Sequence, residues 1–226
     1  MTVIVFDLDD TLYDELDFVK SGFNEVSKFL SKKFNIPKNK CYEIMINELQ
    51  YGRGEIFDNT LKKYNIFSKK LVKQCISIYR SHKPKIHLFH SSIKCLKKLN
   101  IFPLYIVTDG NKIVQKNKVK ALKIQKKVKF IFITSNYTLK NAKPSPYCFF
   151  KICELEKTSP QNIIYIGDDP SKDFVKIKQK GFKTIRVLTG KFKNEKYSKQ
   201  FDADLTIKSL EELSLIKIKK LINIKI

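Results

Sequence analysis

The 226-residue chain contains no tryptophan, two methionines, seven glycines and seven prolines. Glycine and proline at that level exclude collagen-like and low-complexity classes. No apolar run approaches the roughly 20 residues that a membrane-spanning helix needs, so no span is expected. The five cysteines, Cys41, Cys75, Cys95, Cys148 and Cys153, include no C-x-x-C pair, and His82, His87 and His90 are not spaced with them as a zinc site. Reduced, mostly buried thiols are the expectation. Arginine is scarce: Arg53, Arg80 and Arg186 stand against 42 lysines. Acid is the minority sign, 22 residues against 45 basic ones, for a formal charge of +23.

That charge is spread along the whole chain, and abundant Lys, Ile, Asn, Phe and Tyr are the profile of AT-rich coding. Nucleic-acid readers rely on arginine for bidentate contacts, so no nucleic-acid partner is expected. A positive field of either origin favours phosphorylated ligands. The first ten residues, MTVIVFDLDD, meet acids too soon for a signal peptide, and a cytoplasmic protein is expected.

At 42% hydrophobic and 12% aromatic, the chain has ample material for a core. Four short apolar runs, Val3–Phe6, Leu104–Val107, Phe130–Ile133 and Ile163–Ile166, each precede a polar loop, and Thr184–Leu188 and Leu205–Ile207 are further strand candidates. Near-continuous apolar strands suit a parallel sheet covered on both faces. Helical patterns at Ser91–Asn100, Asn111–Leu122, Pro146–Glu156 and Ser171–Lys180 alternate with them, and Gly181 stands where a helix C′ residue belongs. The alternation predicts an α/β fold, a Rossmann-like doubly wound parallel sheet. From about Asp14 to Lys85 it stops. Helical segments at Asp17–Phe34, Asn39–Leu49, Asp58–Tyr64 and Ser68–Ser81 predict an all-helical insertion after the first strand. Residues 1–13 and 86–226 are then the core domain and 14–85 the insertion. Ser209-Leu-Glu-Glu212 has the form of a capping box opening a last helix. The basic, apolar run Leu213–Ile226 is a closing helix or strand, or an interfacial membrane segment.

The strand ends hold the chemistry. In Phe6-Asp7-Leu8-Asp9-Asp10-Thr11 two aspartates two residues apart share the crevice beyond a strand, where open α/β sheets bind ligands. Without a cation or donors such burial is costly, although Asp10 and Thr11 also suit a plain helix N-cap cluster. The second strand ends in Thr108-Asp109-Gly110-Asn111, a hydroxyl followed by backbone N–H groups at a helix start, which predicts phosphate binding by Thr108, Asp109 and Gly110. Lys143 follows the third strand within Lys-Pro-Ser-Pro, where Ser145 can cap the helix at Pro146. The fourth strand ends in Gly167-Asp168-Asp169-Pro-Ser-Lys-Asp173. Thr108 and Lys143 are weak signals alone; the ordered set is not.

These motifs, in this order, resemble the haloacid dehalogenase superfamily of hydrolases, in the subfamily with a C1-type helical cap. The resemblance implies that Asp7 is the nucleophile, already ionised at neutral pH, and that Asp9 is the general acid and base. It implies Lys143 as the catalytic lysine, Thr108 as a phosphoryl ligand, and Mg²⁺ held by the Asp7 carboxylate, the Asp9 carbonyl and Asp168. Asp169 and Asp173 would stand behind these, Asp173 orienting Lys143 or a metal-bound water; Asp10 would be structural. Dehalogenases of the family lack the second aspartate, so Asp9 favours a phosphatase. The cap would set substrate choice, with Arg53 in the Gly52-Arg53-Gly54 turn, His82 and Asn111 as candidate substrate contacts; a solvent-facing turn and a packing role at the hinge are the competing readings for Arg53 and His82. The Gly52–Asp58 and Tyr79–Pro84 runs look like members linked to surface-polysaccharide precursors. The expectation is a Mg²⁺-dependent phosphatase of a small phosphorylated metabolite, monomer or homodimer. The alternatives are a basic nucleic-acid-binding module on an inactive scaffold, and phosphoryl transfer to another acceptor or action on a phosphoprotein.

Overall fold

The structure, a computed structural model, describes residues 1–222. The end of the expected C-terminal segment, 223–226, lies outside the described residues. The chain divides into two compact units, Met1–Glu15 with the chain from His87 onward, and Leu16–Ile86 between them.

The first unit is built on six strands: β1 (Val3–Phe6), β2 (Leu104–Thr108), β3 (Phe130–Ile133), β4 (Ile163–Gly167), β5 (Lys183–Val187) and β6 (Leu205–Ile207). All neighbours pair in parallel, in the order β3-β2-β1-β4-β5-β6. The chain therefore steps outward from β1 to one side and then to the other, the doubly wound arrangement with a topological switch beside β1. Alternate residues explain the near-continuous apolar runs. Val3, Val5, Tyr105, Val107, Phe132, Ile163 and Tyr165 form one cluster with Cys148, Phe149 and Ile152. The intervening Ile4, Phe6, Ile106, Ile164 and Ile166 face the other way and are equally buried. A sheet covered on both faces needs both residue sets apolar.

The second unit holds α1 (Glu15–Phe34, entering from the first unit), α2 (Lys38–Glu48), α3 (Ile56–Lys63) and α4 (Lys69–Ser81). Each lies within two residues of its expected bounds. Val19, Phe23, Val26 and Leu30 of α1 recur at helical spacing and pack with Cys41, Met45, Leu61, Leu71, Val72 and Cys75. Gly22 is required for this packing, because a Cβ there would lie 2.4 Å from the Tyr79 ring of α4. Ser68 caps α4 by accepting from Leu71 N–H at 3.2 Å.

The first unit also carries α5 (His90–Lys98), α6 (Lys112–Leu122), α7 (Tyr147–Glu156), α8 (Val175–Lys178) and α9 (Leu215–Leu221). Two expectations are corrected. The helix expected over Ser171–Lys180 shrinks to the single turn of α8, because residues 170–174 form a turn organised by Asp169, whose Oδ1 accepts from Ser171 N–H at 3.0 Å. Gly181 closes it as expected, with φ of +87°. The Ser209 box opens only a 3₁₀ turn, Leu210–Glu212, since Glu212 Oε1 accepts from Lys208 N–H and not from the cap residue. The last helix starts later, capped by Ser214. Its Ile218 is buried. Cys41, Cys75, Cys95 and Cys148 are buried and unpaired, and burial pushes Cys41 up to about 11 and Cys75 up to about 12.

Candidate active site

β1 ends at Phe6, and the next N–H, of Asp7, still donates to Ile166 of β4 at 2.8 Å. The ladder thus holds Asp7 at the mouth of the central strand. Lys143, from the loop after β3, sends its Nζ to Asp7 Oδ1 (2.6 Å), Asp173 Oδ1 (2.8 Å) and Tyr165 Oη (2.8 Å). An ammonium has three protons, and each finds an acceptor. Tyr165 in turn donates to Asp173 Oδ1 at 3.0 Å, and Asp173 Oδ2 accepts from Asp169 N–H at 3.1 Å. Gly167 makes room for this carboxylate, since a Cβ there would lie 2.4 Å from Asp173 Oδ2.

Asp168 completes the cluster. Carboxylate oxygens of Asp7, Asp168 and Asp173 all lie within 4.8 Å of one another, and all three residues are buried. Thr11 Oγ1 donates to Asp168 Oδ1 at 3.3 Å. Burial, with Asp7 and Asp173 adding repulsion, pushes Asp168 up to about 9. Burial likewise lifts Asp7 to about 7 against the pull of Lys143. Burial would depress Lys143, but Asp173 and Asp7 outweigh it and hold the ammonium well above its ordinary value. Three buried carboxylates with one buried ammonium are short of positive charge. Hard oxygen donors in that state fit a divalent cation such as Mg²⁺. Because both oxygens of Asp173 already have partners in Lys143, Tyr165 and Asp169 N–H, Asp7 and Asp168 are the carboxylates that could hold such an ion.

Asp9 belongs to a second group. Its Oδ1 accepts from Lys118 Nζ at 2.7 Å and from Tyr13 Oη, and its Oδ2 from Gln115 Nε2 at 2.9 Å. Gln115 also donates to Thr108 Oγ1. Burial would raise Asp9, but Lys118, with Tyr13 and Gln115 as further donors, holds it below the usual carboxylate range. Asp10, in the left-handed region at φ +53°, turns out of this group and accepts from Glu15 N–H at 2.9 Å.

Several expected residues take other partners. Asp109 turns to the Lys143 loop, accepting from Lys143 N–H at 3.0 Å and from Thr134 Oγ1, so its carboxylate braces that loop. Asn111 is the N-cap of α6, its Oδ1 accepting from Ile113 N–H at 3.0 Å. Gly110, at φ +133°, makes the turn between Thr108 and this helix. Asp169 holds the turn at Ser171 and Lys172. In the helical unit His82 is buried, its Nδ1 2.6 Å from the Tyr79 carbonyl and its ring 4.9 Å from that of Phe18. Arg53 lies on an exposed turn between α2 and α3. Sequence reasoning missed Tyr13, Gln115, Lys118 and Tyr165. The spacing of Asn111, Gln115 and Lys118 on one helix face was the available signal.

Among the described residues no helix is long and apolar enough to cross a membrane. A family model for haloacid dehalogenase-like hydrolases matches residues 4–187. A glyceraldehyde 3-phosphate phosphatase of Methanocaldococcus jannaschii is 30% identical over 223 residues, covering 93% of this chain and 94% of its own. An N-acylneuraminate-9-phosphatase of Mus musculus is 23% identical, covering 75% of each. Among solved structures, the putative hydrolase YfnB of Bacillus subtilis, bound to magnesium, has a TM-score of 0.65 at 20% identity and covers 99% of both chains. A family match over most of the chain, joined to the phosphatases it resembles, leads to one conclusion: the chain belongs to the haloacid dehalogenase-like hydrolases and is a phosphatase of that family.

Proposed function

We propose that the chain is a Mg²⁺-dependent phosphatase of small metabolites that carry phosphate on the terminal carbon of a hydroxylated chain. The observation that carries the reading is the joint placement of Asp7, Lys143 and Asp168 at the switch point, with Asp9 two residues from Asp7. The names of the two kinds of relative, glyceraldehyde 3-phosphate and N-acylneuraminate 9-phosphate phosphatases, share one chemistry. Each substrate is a primary phosphate ester at a chain end, of the sugar-phosphate class expected from the sequence.

In this reading the Asp7 carboxylate attacks phosphorus and the bond to the leaving oxygen breaks, giving an aspartyl-phosphate. Asp9 takes up a proton from solvent before the step and delivers it to that oxygen, then takes one from the water that cleaves the acyl-phosphate, which returns it to the acid form as inorganic phosphate departs. Lys143 neutralises charge on Asp7 and the phosphoryl group, and the Thr108 hydroxyl donates to a phosphoryl oxygen. Asp7, Asp168 and the Asp9 carbonyl would hold Mg²⁺, whose charge offsets repulsion between the carboxylate and an anionic ester. The groups at the strand ends engage only the phosphoryl group, so discrimination among leaving groups falls to the helical insertion, residues 14–85.

The test is a panel of primary and secondary phosphate esters ranked by kcat/KM, with and without EDTA. Terminal esters are expected to rank first, EDTA to abolish turnover, and Asp7→Asn to bring the rate to background. Unimpaired turnover by Asp7→Asn would sink the mechanism. A panel led by secondary esters or phosphopeptides would sink the substrate class.

A further inference from the structure

Among the described residues, two lysines are buried: Lys143, which the proposed chemistry uses, and Lys118, which it does not. In a chain with 42 lysines, almost all in water, the second needs a reason, because burying an ammonium costs several kcal/mol unless it is well paired. Lys118 is 3% exposed and sits 2.7 Å from Asp9 Oδ1 and 3.7 Å from Glu15 Oε1. One turn earlier on α6, Gln115 is wholly buried. Its amide nitrogen donates to Asp9 Oδ2 and to Thr108 Oγ1. The amide nitrogen, and not the amide oxygen, is the end that lies against both of these oxygens. Thr108 Oγ1 therefore receives a proton from Gln115, and its own hydroxyl hydrogen is left to point at a phosphoryl oxygen. Asp9 is held at both oxygens: Oδ1 by Lys118 and Tyr13, Oδ2 by Gln115.

We propose that Gln115 and Lys118 are positioning residues for phosphoryl transfer, which aim the Asp9 carboxylate and lock it, through the Gln115 amide, at a set spacing from the Thr108 hydroxyl. The proposal rests on the phosphatase reading above. The proton donor follows β1 and the phosphate ligand ends β2; the strands pair through their backbones, and α6 supplies the side chains that join the two reacting groups to each other. A purely structural pair would anchor α6 to the loop after β1 and affect every substrate equally. A positioning pair affects most the substrate whose leaving oxygen needs a proton.

The experiment compares kcat/KM for p-nitrophenyl phosphate, whose leaving group departs as a stable anion, with that for a primary alkyl phosphate ester. Lys118→Met, Lys118→Arg and Gln115→Met are measured beside wild type, with thermal melts to follow folding. The alkyl-to-aryl ratio of kcat/KM, taken for each variant at the pH of its own maximum so that the loss of the Lys118 charge does not enter, is expected to fall roughly tenfold in Lys118→Met and Gln115→Met, part of the worth of general acid catalysis. Lys118→Arg is expected to recover most of it. Gln115→Met is further expected to weaken inhibition by inorganic phosphate, by releasing Thr108. A ratio that stays at the wild-type value in folded variants overturns the proposal. Should Lys118→Met not fold, Gln115→Met and Lys118→Arg decide between the two roles by the same ratio. If wild type cleaves neither ester, the phosphatase reading has failed; if it cleaves both and the ratio holds, only the positioning role has.

Discussion

At the scale of single residues, the site depends on an atom that is absent. Gly167 lets Asp173 slide beneath the β4 strand end to meet Lys143. Gly167→Ala is expected to push Asp173 aside, loosen Lys143 and lower kcat by up to about 100-fold, a loss typical of displacing a catalytic group by an ångström. Steady-state rates on a fold verified by circular dichroism check it. Charge at the cluster gives a pH signature. Asp7 and Asp168 are raised in the cation-free fold, to about 7 and about 9, from the ordinary 3.8. Between the ordinary and the raised values the folded protein binds more protons than the unfolded chain, so stability is greatest below about pH 4 in this respect and is lost as pH rises through 7 and 9. The melting temperature in EDTA is expected to fall from pH 6 to 9, Mg²⁺ to restore it increasingly over that range, and Asp168→Asn to abolish the restoration. The carboxylates were legible in the sequence because acids are few and these stand at strand ends. Lys118 was not, being one of 42 lysines, and Tyr165 lay inside a run whose apolar neighbours made it read as core.

At the scale of elements, the strands were the readable part, since burial on both faces writes itself as uninterrupted apolar residues. β5 is displaced by a single residue from its expected bounds because Lys183, at its start, looks polar while its backbone already pairs with Ile164. The helix after β4 was misjudged for a physical reason. Its first turn is taken over by Asp169 and Asp173, whose backbone and side chains serve the Lys143 network before they serve a helix. Helix α7 carries no such duty and is ordinary core. Ile152, fully buried against the sheet, is the place to measure that. Ile152→Ala is expected to cost about 2–5 kcal/mol by denaturant unfolding, with KM unchanged.

At the scale of the molecule, the charge of +23 surrounds a site built from acids. A field of that sign gathers anionic esters from solution, and salt screens it over about 10 Å at 0.1 M. kcat/KM for a phosphate ester is therefore expected to drop severalfold between 50 and 500 mM KCl while kcat holds steady; a flat kcat/KM would show that the lysines are only solvated surface.

The order of the strands has one more consequence. The groups that meet beyond β1 come from the beginning, middle and far part of the chain; Thr11 and Asp168, which touch, are 157 residues apart. No shorter stretch contains a working subset. If these groups carry the proposed chemistry, a growing polypeptide is expected to be silent until β4 has taken its place beside β1, and a cut between them that lets the halves separate is expected to silence it again. Turnover is thus a yes-or-no reporter of whether the sheet has closed, and a protease that nicks the protein in the helical unit can be scored by activity alone for whether the two pieces stay joined.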